Sequence, residues 1–181
     1  MARPPTETRQ RIQVVARELF AEKGVQRTSL QDIANRLGIT KPALYYHFSS
    51  RQELVRSILQ PLVDEGECFV AEHERRRGSA RATPRELLEG YFDFHFRHRA
   101  DLVVLVSELS TLADLGLIDM MLAWRERLCK LVFGSRPTLR QSTRAVIAFG
   151  GLQDCCLQFP DTSYEQLRRA TVDGAMAALG I

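Results

Sequence analysis

Apolar residues recur along most of the chain at the spacing of one helical face. The first segment shows the i, i+3, i+4, i+7, i+8 pattern of an amphipathic helix, carried by Ile12, Val15, Ala16, Leu19 and Phe20. Glycine, proline and hydroxyl residues separate further segments of the same kind. No segment alternates polar and apolar residues over a useful length. The pattern therefore predicts an all-α protein of about nine helices.

Three helices are predicted in the N-terminal third of the chain, and the second (29–37) and third (40–47) are short. The second is capped by Thr28 or Ser29 and stops at Gly38. The third is capped by Thr40, with Pro42 in its first turn, where a missing N–H costs little. A tight turn joins these two helices, and this layout is that of a helix-turn-helix unit.

The remaining chain predicts a larger helical body. A fourth helix runs from about Ser50 to about Arg77, with a kink or break expected at Pro61. Further helices are predicted over residues 84–98, 100–113, 116–133, 137–159 and 163–179. We therefore expect two domains, a helix-turn-helix head over residues 1–50 and a helical body over residues 51–181.

Charge is distributed unevenly along the chain. Residues 1–56 hold ten Lys and Arg against five Asp and Glu, although the whole chain has a net charge of only +3. This excess predicts a polyanionic partner for the N-terminal end. Arg3, Arg9 and Arg11 form either a disordered arm that touches this partner or a solvated tail.

The composition indicates where in the cell the protein lies and which metal, cofactor and thiol chemistry to expect. The chain has no secretory signal and no run of about 18 apolar residues, so we expect a cytoplasmic protein without a membrane partner. The four cysteines have neither C-x-x-C nor zinc-site spacing, which predicts buried, reduced thiols. No cofactor and no metal are expected.

The stretch TKPALYYHF, residues 40–48, has the composition of a recognition helix. Leu44 and Phe48 are four residues apart and are expected to anchor it to the other helices. The other side chains point elsewhere and suit phosphates and base edges in a DNA major groove: Thr40, Lys41, Ala43, Tyr45, Tyr46 and His47.

Residues 20–55, FAEKGVQRTSLQDIANRLGITKPALYYHFSSRQELV, resemble the TetR-type (tetracycline-repressor-like) family of bacterial transcription regulators. The match is long and ordered, and its positions are Phe20, Gly24, Thr28, Ser29, Asp32, Ile33, Ala34, Gly38, Leu44, Tyr45, Tyr46, His47, Phe48, Arg51 and Leu54. It covers about a fifth of the chain, and the rest agrees only in general plan. The resemblance implies a double-stranded DNA partner.

The resemblance also implies a role for each matching residue of the head. Thr28 and Ser29 would hold phosphate, and Gln31 would reach a base edge. The main base readers would be Thr40, Lys41 and Ala43. The DNA backbone would be clamped by Tyr45, His47 and Arg51. Tyr46 either joins them or packs on the first helix.

In the body, the resemblance implies a cavity for a small-molecule effector, expected to be largely apolar. The candidate lining residues are Tyr91, His95, His98, Ser107, Met121, Trp124 and Asp154, with core packing as the alternative for each. Asp154 either lines the cavity floor or faces water. The pair His95 and His98 has a spacing that can chelate a metal, but no third ligand accompanies it.

Two C-terminal helices are expected to form a homodimer interface. Helix 138–158 is apolar nearly all round, and the last helix carries a stripe of small residues. Two such helices from each chain would make a four-helix core. The candidate interface residues are Ala145, Phe149, Leu152, Cys156, Leu167, Thr171, Gly174 and Ala178.

These features predict a homodimeric repressor that leaves a palindromic operator when a small molecule binds the body. An enzyme is the first rival, with His95 and either Asp93 or Glu108 as an acid–base pair. The sequence has no nucleophile elbow and no Gly-rich phosphate loop, so no catalytic residue is assigned. The second rival is a helical adaptor whose helix-turn-helix contacts only proteins.

Overall fold

The computed structural model describes residues 5–76, 78, 81–102, 113 and 116–181. These residues form α-helices and contain no β-strand, so the predicted all-α fold is confirmed. The helices are α1 (Pro5–Lys23), α2 (Leu30–Leu37), α3 (Lys41–His47), α4 (Arg51–Arg75), α5 (Pro84–Arg97), α6 (Leu117–Phe133), α7 (Leu139–Gln158) and α8 (Tyr164–Leu179). Residues 99–102 are also helical, but most of the helix predicted over 100–113 lies outside the described residues.

The helix ends follow the capping residues in the sequence. Ser29, and not Thr28, caps α2, because its side chain accepts from the Asp32 N–H at 3.1 Å. The Asp32 carboxylate accepts in return from the Ser29 N–H at 2.9 Å, which completes a capping box. Thr40 caps α3 in the predicted way. Each such cap stabilises a helix by about 1 kcal/mol.

Helix α4 runs without interruption through Pro61, so the predicted break is wrong. A proline inside a helix costs about 3 kcal/mol because it removes one backbone hydrogen bond and crowds the preceding turn. Leu59 and Leu62 on either side of Pro61 are buried, while Pro61 itself is exposed. Burial of these neighbours offsets the local cost.

The described residues fall into two compact units, and α4 contributes to both. The first unit lies within Met1–Leu62 and Ala100–Leu115. In it α1, α2 and α3 pack on one another. Its fully buried side chains include Ile12, Leu19, Ile33, Leu44, Phe48, Leu54 and Ile58. Residues from all four N-terminal helices therefore share one core.

The second unit comprises Val63–Arg99 and Gly116–Ile181. Here α7 packs chiefly against α8, and also against α5 and α6. Its core contains Leu88, Phe92, Leu128, Phe149, Leu152 and Leu179. Ion pairs at the edge of this core join the helices. Arg127 of α6 bridges Glu67 and Glu74 of α4, with N···O distances of 2.7 Å to each.

Among the described helices, no stretch combines the length and the apolar character that crossing a lipid bilayer requires.

Candidate nucleic-acid interface and helical body

The turn between α2 and α3 is fixed by backbone geometry at its glycine. Gly38 has φ +66°, the left-handed conformation that glycine adopts without a Cβ clash. The next residue, Ile39, donates its N–H to the Ala34 carbonyl at 3.0 Å and closes the end of α2. Leu44 and Phe48 are fully buried, as the spacing predicts. Helix α3 is thus held from one side and exposes the other.

The exposed side of α3 carries polar and aromatic side chains. Lys41, Ala43 and Tyr45 are exposed, and the Lys41 ammonium lies 5.6 Å from the centroid of the Tyr45 ring. Tyr46 is 79% exposed, and its ring meets the His47 ring edge-on with 5.2 Å between centroids. Packing of Tyr46 on the first helix is therefore wrong. These side chains can meet base edges and phosphates.

An open polar groove of about 480 Å³ lies beside α3. Its lining brings together six of the residues expected to contact DNA: Thr28, Ser29, Gln31, Lys41, Tyr45 and Arg51. It also contains Ser49, Ser50 and Gln52, which the sequence analysis missed although the serine pair precedes a helix start. The first turns of α2 and α4 both border the groove. Helix N-termini attract anions because their N–H groups are unpaired and the helix dipole is positive there.

Thr28 lies inside the head and not on its surface. It is 1% exposed, and its hydroxyl is within hydrogen-bonding distance of the Gly24 carbonyl at 2.9 Å and the Leu19 carbonyl at 3.3 Å. A hydroxyl that donates to the end of α1 from a buried position cannot also bind a phosphate. Thr28 instead fixes the loop that leads into α2.

Arg51 and Gln31 also make contacts within the protein. The Arg51 guanidinium donates to the carbonyls of Val25 at 3.3 Å and Gln26 at 3.0 Å. Arg51 thus holds the α1–α2 loop against the start of α4, and a DNA contact would use its other N–H groups. Gln31 is exposed, with its amide donating to the Asn35 side chain at 2.8 Å.

Arg9 packs on the recognition helix and is not part of a disordered arm. Its guanidinium carbon lies 4.1 Å from the centroid of the Phe48 ring, a cation–π contact. It also donates to the His47 carbonyl at 2.5 Å. The half-buried His47 is therefore positioned from α1, a long-range contact for which local sequence spacing gives no signal.

In the body, Tyr91 and His95 are buried side by side on α5. Their ring centroids are 4.1 Å apart, and the His95 Nδ1 lies 2.9 Å from the Tyr91 carbonyl oxygen. A carbonyl only accepts, so Nδ1 carries the proton of a neutral ring. Burial lowers the pKa of His95 to about 4, which keeps the ring neutral near pH 7. Burial likewise raises the pKa of the Tyr91 phenol, which stays protonated.

Trp124 is buried on α6, and its ring covers the backbone of Gly66 on α4. Its indole N–H donates to the Glu67 carboxylate at 2.9 Å. Hydrogen bonds from Arg127 and Trp124 lower the pKa of Glu67. Met121 is half-buried on the same helix.

Two further residues expected to line the effector cavity are Asp154 and Ser107. Asp154 is exposed on α7, so its placement on a cavity floor is wrong and it faces water. Its neighbour Gln153, which the sequence analysis missed, is the one that points into the core. Ser107 lies outside the described residues.

The pairings suggested for a metal and for catalysis are not formed in the described part of the chain. His98 bonds to the Glu65 carboxylate at 2.8 Å, whereas His95 bonds to its own helix. Asp93 accepts from Tyr164 at 2.7 Å and from Arg168 at 2.9 Å, and so does not serve His95. Glu108 is outside the described ranges. These ranges contain no group of three or more potential metal ligands.

Six of the eight residues expected at a dimer interface are buried within the second unit, and this expectation is wrong for them. They are Ala145, Phe149, Leu152, Cys156, Leu167 and Thr171. Gly174 is exposed and Ala178 is half-buried. The outer side of α7 instead exposes Val146 and Ile147, the latter at 63%. Because α7 is apolar nearly all round, its sequence did not reveal which stripe faces inward.

An apolar groove of about 220 Å³ lies between α7 and α8. Its lining includes Ile147, Gly151, Cys155, Ala170, Gly174 and Ala178. Most of these side chains are small, so another helix can approach closely. The groove is thus an apolar surface on these two helices that the described residues leave open.

Comparison with known proteins gives a family match in the head and relatives that align with about half of the chain. Residues 12–58 match the model for bacterial regulatory proteins of the tetR family. The transcriptional activator FasR of Mycolicibacterium smegmatis is 36% identical over 91 residues, covering 50% of this chain and 42% of that protein. The transcriptional repressor KstR2 of Mycobacterium tuberculosis is 33% identical over 104 residues, which cover 55% of this chain and 50% of that protein. The chain thus aligns with about half the length of these relatives.

Solved structures match the fold over nearly the whole chain. A transcriptional regulator from Aquifex aeolicus superimposes with a TM-score of 0.74 at 24% identity, covering 94% of this chain and 98% of that one. The ketosteroid transcriptional regulator KstR2 of Mycobacterium tuberculosis superimposes with a TM-score of 0.73 at 21% identity, covering 96% of this chain and 93% of that one. The N-terminal helix-turn-helix region of the chain, residues 12–58, is thus similar to the tetR family of bacterial regulatory proteins, and the solved structures show that nearly the whole chain shares the fold of such regulators.

Proposed function

We propose that this protein is a DNA-binding transcription regulator, with a DNA-binding domain over residues 1–50 and a ligand-binding, dimer-forming domain over residues 51–181. The observation that carries the proposal is the exposed face of α3 beside the polar groove. This surface lies in a segment with ten Lys and Arg against five Asp and Glu. Such a surface suits the major groove and the phosphates that flank it.

Base edges are read from the exposed side of α3. Lys41 reaches guanine or phosphate, and Ala43 meets a thymine methyl group. Tyr45, Tyr46 and His47 bind the backbone, together with Ser29 at the start of α2. This surface is held in place by hydrogen bonds to backbone carbonyls from Arg9, Thr28 and Arg51. These bonds fix the positions of α1, α2 and α3.

Two copies associate through α7 and α8. The exposed Val146 and Ile147 and the groove of small residues give each copy an apolar face. A second copy covers such a face in a two-fold arrangement, because the same patch then serves both protomers. A two-fold protein reads a palindromic operator with half-sites about 34–36 Å apart, or a multiple of that spacing.

A small molecule bound in the body regulates this DNA binding, and release of a repressor is the favoured outcome. Ligand binding shifts the population towards dimers whose heads no longer fit the operator. The aromatic surroundings of Tyr91, His95 and Trp124 favour an effector with a large apolar part. The relatives named above include an activator, FasR, and a repressor, KstR2, and the repressor supports the direction chosen here.

The test is recovery of genomic fragments by the purified protein, followed by sequencing. We expect a palindromic site whose affinity falls steeply with salt. The double substitution Lys41→Ala with Tyr45→Ala should abolish recovery and leave the oligomeric state unchanged. Lys130→Ala, which removes an exposed lysine from the body, is the matched control and should bind normally. Equal recovery of random fragments by all three proteins would refute the proposal.

A further inference from the structure

Arg125 of α6 is a half-buried arginine that makes no ion pair with the described residues. The comparably buried Arg127 and Arg168 each bond to two carboxylates of neighbouring helices. Arg125 instead points at α7, where its Nη2 lies 3.5 Å from the Gln153 side-chain oxygen. A half-buried guanidinium that has no counter-charge among the described residues is costly, so its position calls for another explanation.

Polar groups surround this guanidinium on two helices. Gln153 is buried, and its amide nitrogen donates to none of the described residues. The Tyr91 hydroxyl lies within hydrogen-bonding reach of Arg125. Three donor groups of α5, α6 and α7 therefore converge, one of them charged. Because the Tyr91 phenol and the His95 ring are both neutral, Arg125 is the one charged member of the cluster.

The rest of the neighbourhood is apolar. The Tyr91 ring packs edge-on against Phe149 with 5.1 Å between centroids, and Phe94 packs in the same way against His95 at 4.8 Å. Trp124 precedes Arg125 on α6 and is buried in the same core. Aromatic walls with a few convergent polar groups are the usual composition of a small-molecule site.

We propose that Arg125, with Tyr91 and Gln153, binds the carboxylate of a small acid whose remaining part is apolar, and that this acid is the effector. The inference rests on the proposed ligand-responsive function and names the chemical class of the ligand. The planar guanidinium matches a carboxylate through two parallel N–H···O bonds, and the phenol and amide complete the donor set. His95 Nε2 lacks a proton in the assigned tautomer and suits a donor group next to the carboxylate.

Trp124 provides a direct readout, since it is the single tryptophan of the chain and the neighbour of Arg125. Its fluorescence is titrated with straight-chain carboxylates from octanoate to hexadecanoate, with 1-naphthoate, and with the primary amide of each acid. We expect at least one acid to bind ten-fold or more tightly than its amide. No preference for any acid over its amide would overturn the inference.

Variants separate the proposed role of Arg125 from general stability. Arg125→Gln should remove the preference for acid over amide, and Arg125→Lys should weaken it while keeping the charge. Arg136→Gln, which changes an exposed arginine, should behave as the wild type. If Arg125→Gln fails to fold, the lysine variant decides, because unchanged acid binding by Arg125→Lys would refute a bidentate contact.

The same acids are then added to the complex of protein and operator fragment. Release of DNA by the wild type, and not by Arg125→Lys at the same acid concentration, would support both the site and its regulatory role. Acid binding that depends on Arg125 but leaves the complex intact would refute the effector assignment alone. A protein that binds DNA but no acid would refute the site and leave the DNA-binding proposal standing.

Discussion

His95 makes the stability of the second unit depend on pH in a range where few other side chains titrate. Its ring is buried, and burial lowers its pKa from 6.5 to about 4, despite the opposing hydrogen bond to the Tyr91 carbonyl. The nearby positive charge of Arg125 acts in the same direction as burial. In the unfolded chain the ring regains its ordinary pKa. Below pH 6.5 the His95 ring of the unfolded state therefore binds a proton, whereas the ring in the folded state stays neutral until the pH falls to about 4.

The size of the effect follows from the difference between the two pKa values. Stability rises with pH wherever the unfolded state binds more protons, so acidification from pH 7 destabilises the protein. One pKa unit corresponds to about 1.4 kcal/mol, which gives a loss of about 2 kcal/mol by pH 5. The full loss, about 3 kcal/mol, is reached below pH 4. Carboxylates with lowered pKa values, such as Glu67, add their own losses at lower pH.

The assay is urea unfolding at fixed protein concentration between pH 7 and pH 5, followed by Trp124 fluorescence and by helical circular dichroism. His95→Phe should flatten the dependence on pH, because the buried ring no longer titrates. His73→Gln is the matched control, since His73 makes the same bond to the carbonyl four residues earlier, at 2.8 Å, but is half-buried. An equal slope in the wild type and His95→Phe would refute the reasoning, as would a slope lost in His73→Gln.

Two further substitutions test the packing of the second unit and the proposed dimer face. Gly66→Ala places a Cβ against the buried indole of Trp124, so we expect a loss of about 1–3 kcal/mol and an altered tryptophan emission spectrum. A thermal midpoint equal to or above that of the wild type would contradict this. Ile147→Asp should convert dimers to folded monomers in sedimentation experiments, because it places a charge in the apolar groove. Leu122→Asp, an exposed change outside that groove, should leave the dimer intact, and dimers in both variants would contradict the assigned face.

Local interactions explain what the sequence predicted well. Ser29 with Asp32, Thr40 with Pro42, and Gly38 set the ends of α2 and α3, and all act within one or two turns of chain. The pattern of apolar residues likewise identified Leu44 and Phe48 as anchors. Because these interactions join neighbours in sequence, the helix-turn-helix unit and its exposed polar face were readable before any tertiary structure.

The tertiary structure decided which side of each helix is covered and which polar groups meet. Thr28 became a buried hydrogen-bond donor to the carbonyls at the end of α1. The inner stripe of α7 became core and not interface because α5, α6 and α8 pack on it. Arg125, Tyr91 and Gln153 lie far apart in the chain, so no spacing rule links them. Helical periodicity fixes the faces of a helix, whereas burial depends on which partner covers each face, and that choice is made only when the whole chain folds.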